Sequence, residues 1–190
     1  MEFKEKVVKN LKKILSEENL FVPATDEQIR KLEELVGKKV EKFIDFYQNY
    51  QPYKMPMLDC YVQLLDIDNI IMENTYGEPG KYLAQYGVYV FALTAGGNVL
   101  CIDTNDIHHG DASVLIAEAD FCFYNESLQC IEISNAPEKV FDMLEDDEVL
   151  VLNYPNIKKS LCKLEKSFAK FMLKLSKNKY EDVEEYLDFD

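Results

Sequence analysis

Both histidines of this 190-residue chain stand in one string, Asp103-Thr-Asn105-Asp106-Ile-His108-His109-Gly-Asp111. Imidazole and carboxylate together could bind a divalent metal or exchange protons. The spacing argues against both. Adjacent histidines on a strand point to opposite faces, on a loop they have no fixed geometry, and no H-x-x-x-H pair is present to aim two imidazoles at one ion. The string reads as a surface loop and a candidate contact, with a metal-dependent enzyme as the less favoured alternative. Asp66-Ile-Asp68-Asn69 begins like a calcium loop but lacks that motif's glycine and distal glutamate, so helix capping is the expected role. The five cysteines, at 60, 101, 122, 130 and 162, include no C-x-x-C pair and no histidine partner at informative spacing. Reduced, mostly buried thiols in a cytosolic protein are expected, and no catalytic residue, cofactor or metal is assigned.

Gly96-Gly97-Asn98, within FALTAGGNVLCIDTN, is the remaining chemical candidate. A phosphate-cradling glycine loop lies between a strand and a helix whose N-terminus meets the phosphate. Here Val99-Leu-Cys-Ile102, a strand pattern, follows the glycines. A two-residue Gly-Gly loop of type I′ is expected instead, pairing Leu93 with Leu100 and Phe91 with Ile102. That register puts Tyr89, Phe91, Leu93, Leu100 and Ile102 on one large apolar face, and Val90, Ala92, Val99, Cys101 and Asp103 on a second face that is partly open. The uncharged run between Lys81 and Asp103 is long enough for a bilayer, but its polar turn could not be satisfied in lipid, so no membrane crossing is expected.

The elements around these motifs follow from periodicity. Phe3, Val7, Leu11, Ile14 and Leu15 mark an amphipathic helix. Thr25-Asp-Glu-Gln28 has capping-box spacing and opens a second helix, bent at Gly37 into a third that carries Phe43, Ile44, Phe46 and Tyr47. QPYKMPMLD reads as loop, Tyr61–Leu65 as a strand, and Asn69–Glu73 as a short helix. From Val88 the period becomes two. Residues 88–94, 99–103, 113–117, 121–124 and 129–133 read as an antiparallel meander. A helix is expected from Pro137 to Leu144, and a long amphipathic one after Pro155, on Ile157, Leu161, Leu164, Phe168, Phe171, Met172 and Leu175. The fold class is α+β, one domain over residues 1–176 with an antiparallel sheet of about five to six strands and the N- and C-terminal helices on one face. Residues 177–190, ending in EDVEEYLDFD, read as an acidic tail or frayed helix.

Charge is unevenly spread. Of 21 basic and 35 acidic residues, residues 43–156 hold 3 basic and 19 acidic ones. This argues against nucleic acid as a direct ligand, because phosphate backbones need a basic footprint, and it suits a cationic partner. The N-terminus has no apolar core of secretory-signal type.

Three blocks carry a resemblance: ATDEQIRKLEELVGKKVEKFIDFYQNY, the hairpin GVYVFALTAGGNVLCIDTN, and KSFAKFMLKL. In this order they resemble the SUKH superfamily, which includes yeast cell-wall synthesis regulators of the Smi/Knr type and many bacterial toxin-immunity proteins. The resemblance spans residues 20–176 and departs at Val40-Glu41 and Asn49-Tyr50-Gln51. It implies a non-enzymatic binding protein, in bacteria usually one that neutralises a cognate toxin, often a nuclease, with a regulatory scaffold as the alternative; the cytoplasmic expectation comes from the cysteines. The expected contacts are Asp103, Asn105, Asp106, Asp111, Glu118 and Asp120, with Tyr50, Tyr53 and Tyr76 as loop-borne aromatic anchors.

Overall fold

A computed structural model describes residues 2–145 and 148–187. The chain begins with α1 (Phe3–Leu15), then β1 (Phe21–Val22), α2 (Asp26–Val36), α3 (Glu41–Tyr50), β2 (Gln51–Pro52), β3 (Val62–Leu64), α4 (Ile67–Thr75) and α5 (Gly80–Leu83). The strands β4 (Val88–Thr94), β5 (Val99–His108) and β6 (Asp111–Ala117) follow, then β7 (Cys122–Asn125) and β8 (Cys130–Ile133). The C-terminal part holds α6 (Glu138–Phe141), α7 (Tyr154–Ser160), β9 (Cys162–Glu165), α8 (Phe168–Leu175) and a 3₁₀ turn at Glu184–Leu187.

The expected α+β class is observed. An antiparallel five-stranded sheet runs in the order β3-β4-β5-β6-β9, with β1-β2 and β7-β8 as separate two-stranded ribbons. The N- and C-terminal helices α1, α3 and α8 pack together on one face. Phe168 is their centre, with ring centroids 5.0 Å from Phe43 and 5.5 Å from Phe91, in edge-to-face geometry that suits ring quadrupoles. The second face is covered too. Asn74 of α4 clamps β4 through Val90 N–H to Oδ1 and Nδ2–H to Val90 O, both 2.8 Å, and Gly80 lies against the Val90 side chain. All seven residues of β6 are therefore buried, and the face expected to be partly open is closed.

Helix starts follow local chemistry. Thr25 and Gln28 make the reciprocal capping box, and Asp66 is the cap of α4, accepting from Asn69 N–H at 2.8 Å. The helix expected from 137 to 144 is shorter, with α6 ending at Phe141.

Three expectations are corrected. The glycine turn is a three-residue loop rather than a two-residue one. Thr94 N–H donates to Asn98 O (2.9 Å), Gly97 N–H to Thr94 O (3.1 Å), and of the two glycines only Gly97 has positive φ. Leu93 consequently pairs with Val99 and moves to the opposite face, while a bulge at Phe91 leaves Tyr89 opposite Ile102. The two-residue turn with positive φ at both positions occurs instead at His109-Gly110, closing β5 onto β6. Finally, the long C-terminal helix is split. Asn153 caps α7, Ser167 caps α8, and Cys162–Glu165 between them pairs with β6 as the sheet's fifth strand. The apolar spacing at 157, 161, 164 and 168 fits a helix, but the open edge of β6 supplies backbone partners that a helix there would leave unmet.

Past α8, Tyr180, Val183 and Leu187 are buried, and the Tyr180 ring lies tilted against Phe171, centroids 5.4 Å apart. Glu184 clasps the glycine turn, accepting from Gly96 N–H (3.0 Å), Asn98 Nδ2–H (2.9 Å) and the Thr94 hydroxyl. The acidic C-terminal residues 188–190 lie outside the described residues.

Candidate functional site

The acidic residues singled out in the sequence divide into two groups. Asp103 and Asp111 are internal, each 3% exposed. Asp103 accepts from Tyr154 Oη–H (2.9 Å) and from the backbone N–H of Asn105 (2.9 Å), which fixes the bulged segment Thr104-Asn105-Asp106 of β5. Thr104 N–H and Oγ1–H reach Gly87 O, and Asn105 Nδ2–H reaches Tyr86 O, so the bulge is tied to the turn before β4. Asp111 lies at the start of α8, accepting from Ser167 Oγ–H (2.5 Å), Ala169 N–H (3.3 Å) and Lys42 Nζ (3.0 Å). A carboxylate there meets unpaired helix N–H groups and the positive end of the helix dipole. Both aspartates are framework groups.

The others are nearer the surface. Asp106 binds Lys163 Nζ (2.5 Å) and His108 Nε2 (3.2 Å), and the Lys163 hydrogen bond holds its carboxyl below the usual aspartate range. Asn105 is exposed but committed to the bulge. Glu118 and Asp120 flank the β6–β7 corner, where Asn135 Nδ2–H donates to both. His108 and His109 form the tip of the β5–β6 hairpin, and Gly110 O accepts from Lys42 N–H (3.0 Å), supplying the cap that Val40 does not give α3. Among the described residues no group of three or more His, Cys, Asp or Glu side chains is placed to hold a metal ion.

The three tyrosines are not gathered with these acids. Tyr50 ends α3 and is half-buried between Phe21 and Phe46, and Tyr53 lies beside it, its N–H bound to Leu20 O. Tyr76 follows α4 and is 77% exposed. The sequence-level set is therefore scattered over the framework, the β1–β2 corner and the sheet end.

What the sequence did not single out is the β7–β8 ribbon. Ile133 N–H donates to Leu150 O and Leu152 N–H to Ile131 O, both 2.8 Å, so residues 150–152 run beside β8 as a third strand. One face of this ribbon is buried through Cys122, Ile133, Leu150 and Leu152. Burial raises the Cys122 thiol to about 12, so it stays protonated. The other face brings Phe123, Glu132 and Val151 into one cross-strand row. Phe123 is 42% and Val151 40% exposed, and Asn125 Nδ2–H orients the Glu132 carboxylate at 2.7 Å. Residues 118–151 contain ten acidic residues and a single lysine, Lys139. Glu126, Glu138, Asp142, Glu145 and Glu148 of that stretch are exposed. The alternation of the strands was legible, but nothing local said which of the two faces would be left uncovered.

A second charged region has the opposite sign. Residues 3–15 hold five lysines and one glutamate, and residues 166–179 hold five lysines and no acid. These segments adjoin in space, with Asn10 Nδ2–H donating to Ser176 Oγ at 3.3 Å. Buried Glu165 answers part of this charge. Burial pushes its carboxyl up, but hydrogen bonds from Lys174 and Lys170 outweigh that and leave it below the usual glutamate range.

Among the described residues no helix is long and apolar enough to cross a membrane. The family model described as "SMI1 / KNR4 family (SUKH-1)" matches residues 23–153. No curated protein and no solved structure matches the chain.

Proposed function

The chain belongs to the SMI1 / KNR4 family (SUKH-1), and from that premise we propose that it is a non-enzymatic protein-binding module, an immunity protein that neutralises a basic toxin domain. The observation that carries this reading is the charge map: ten acids against one lysine in residues 118–151, beside exposed apolar side chains. A nuclease that grips phosphates presents a basic surface. An acidic protein that offers fixed carboxylates competes with nucleic acid for that surface and is steered onto it rapidly. The histidines do not favour chemistry, since His108 ends β5 engaged with Asp106, His109 lies in the hairpin turn, and no metal-holding group is found among the described residues.

The test is co-expression with each toxin domain that the neighbourhood of this chain's gene proves to encode. Growth is expected to be restored, with a stable complex on size-exclusion chromatography whose association slows as salt is raised. Growth arrest unchanged by the chain, together with no complex in low salt, would overturn the reading. A regulatory scaffold of the cell-wall-regulator type is the second reading, favoured by family membership alone. It would be separated from the first by the absence of any toxin gene in the neighbourhood.

A further inference from the structure

We propose that the outer face of the β7–β8 ribbon, centred on Phe123 and Val151 with Glu132 between them, is the docking surface for the protein partner, and that the partner presents an apolar patch ringed by lysine or arginine. The inference rests on the protein-binding reading above and locates it on the molecule.

Three observations converge on this face. An antiparallel ribbon with one buried side ordinarily alternates apolar-in and polar-out. Here the buried side is filled by Cys122, Ile133, Leu150 and Leu152, yet the outward positions of the same cross-strand row on β7 and the third strand are again apolar, Phe123 and Val151. In that orientation each leaves about 40% of its surface outside the fold's own packing. Glu132 lies directly between the two, so the row reads apolar, acidic, apolar, with the carboxylate held in place by Asn125. A rigid acid flanked by two apolar side chains is the pattern of an interface centre in which a cation is met by a preset partner.

The second observation is charge. The turn of the ribbon carries Glu126, and the excursion 134–149, whose ends are brought together by the Ile133 to Leu150 hydrogen bond, carries Glu138, Asp142 and Glu145. Such a field attracts a basic protein and repels an acidic one, including a second copy of this chain approaching by the same face. The third is rigidity. The row is carried on strands tied by backbone hydrogen bonds to one another and by Ser134 N–H to Phe121 O, so little ordering entropy would be lost on docking. The α1–α8 side has the wrong charge for such a partner, with ten lysines against one glutamate in residues 3–15 and 166–179.

The experiment measures binding of the purified toxin domain that the co-expression test identifies to three proteins: wild type, the double variant Phe123→Ser/Val151→Ser, and the double variant Lys9→Glu/Lys13→Glu. Thermal melts confirm that each is folded. The ribbon variant is expected to weaken the complex about tenfold or more, as removal of buried anchors does, while the lysine variant binds within about threefold of wild type. Hydrogen exchange on the wild-type complex, which needs no variant, is expected to show protection in 122–133 and 150–152. Wild-type binding with an unaffected ribbon variant and no protection there would overturn this inference and leave the protein-binding reading intact. Failure of the wild type itself to bind would overturn that reading and this one with it.

Discussion

The helical side of the molecule and the β7–β8 ribbon are built from the same kinds of residue and use them in opposite ways. On the helical side Phe43, Phe46, Phe91, Phe168 and Phe171 are sealed between α1, α3, α8 and the sheet, and the surface above them is covered by lysines. On the ribbon Phe123, Tyr124 and Val151 remain at the surface and the surrounding charge is acidic. The contrast shows that residue type alone does not assign a role. An aromatic side chain stabilises the fold where a second layer covers it, and becomes available to a partner where the fold stops one layer short.

The largest expected effect tests that contrast directly. Phe168→Ala leaves a cavity at the centre of the aromatic cluster and should cost about 3–5 kcal/mol of unfolding free energy, whereas Phe123→Ala should cost less than about 1 kcal/mol. Denaturant melts of the two variants side by side measure this. Similar losses at both sites would mean that the ribbon face is part of the core after all.

The acids divide the same way. Asp111→Ala removes the group that joins Lys42, Ser167 and the first turn of α8, and a loss of about 1–3 kcal/mol is expected in equilibrium unfolding. Asp120→Ala, at the exposed corner, should change stability by no more than about 0.5 kcal/mol. A smaller effect is expected at the glycine turn. Glu184→Ala strips the acceptor from Gly96, Asn98 and Thr94, and should lower stability by about 1 kcal/mol, with faster amide exchange confined to residues 94–98 as the confirming readout.

Proton linkage sharpens the comparison further. Glu165 on the basic side has its folded pKa depressed by Lys174 and Lys170, so its contribution is fully present above the unfolded value of 4.5 and is lost as pH falls through the lower folded value. Acid melts of Glu165→Gln should therefore show a flatter decline below that pH than wild type. Tyr154 titrates in the other direction. Burial and the hydrogen bond to Asp103 raise its hydroxyl to about 12, so its contribution is present below 10 and is lost as pH rises from 10 to about 12. In Tyr154→Phe the alkaline decline of the melting profile should be shallower than in wild type, the remainder coming from the other buried tyrosines and thiols.

Much of this was written into local sequence. The capping box at Thr25-Gln28, the bend at Gly37, the Asp66 cap and the strand patterns at Val88–Thr94 and Ser113–Ala117 act over a few residues, where hydrogen-bond geometry and side-chain period leave little choice. The acidity of the middle of the chain and the order of the family blocks were equally legible, since neither needs coordinates. Long-range partners decided the rest. Whether Cys162–Glu165 is helix or strand depended on the unfilled edge of β6, and the register of the central hairpin depended on a loop clasped by Glu184, far along the chain. Asp103 and Asp111 look like surface acids until Tyr154, Lys42 and Ser167 are brought to them from distant segments. Sequence determined which elements form and what charge they carry. Tertiary structure decided which faces are covered, because burial is a property of what packs against a residue and not of the residue itself.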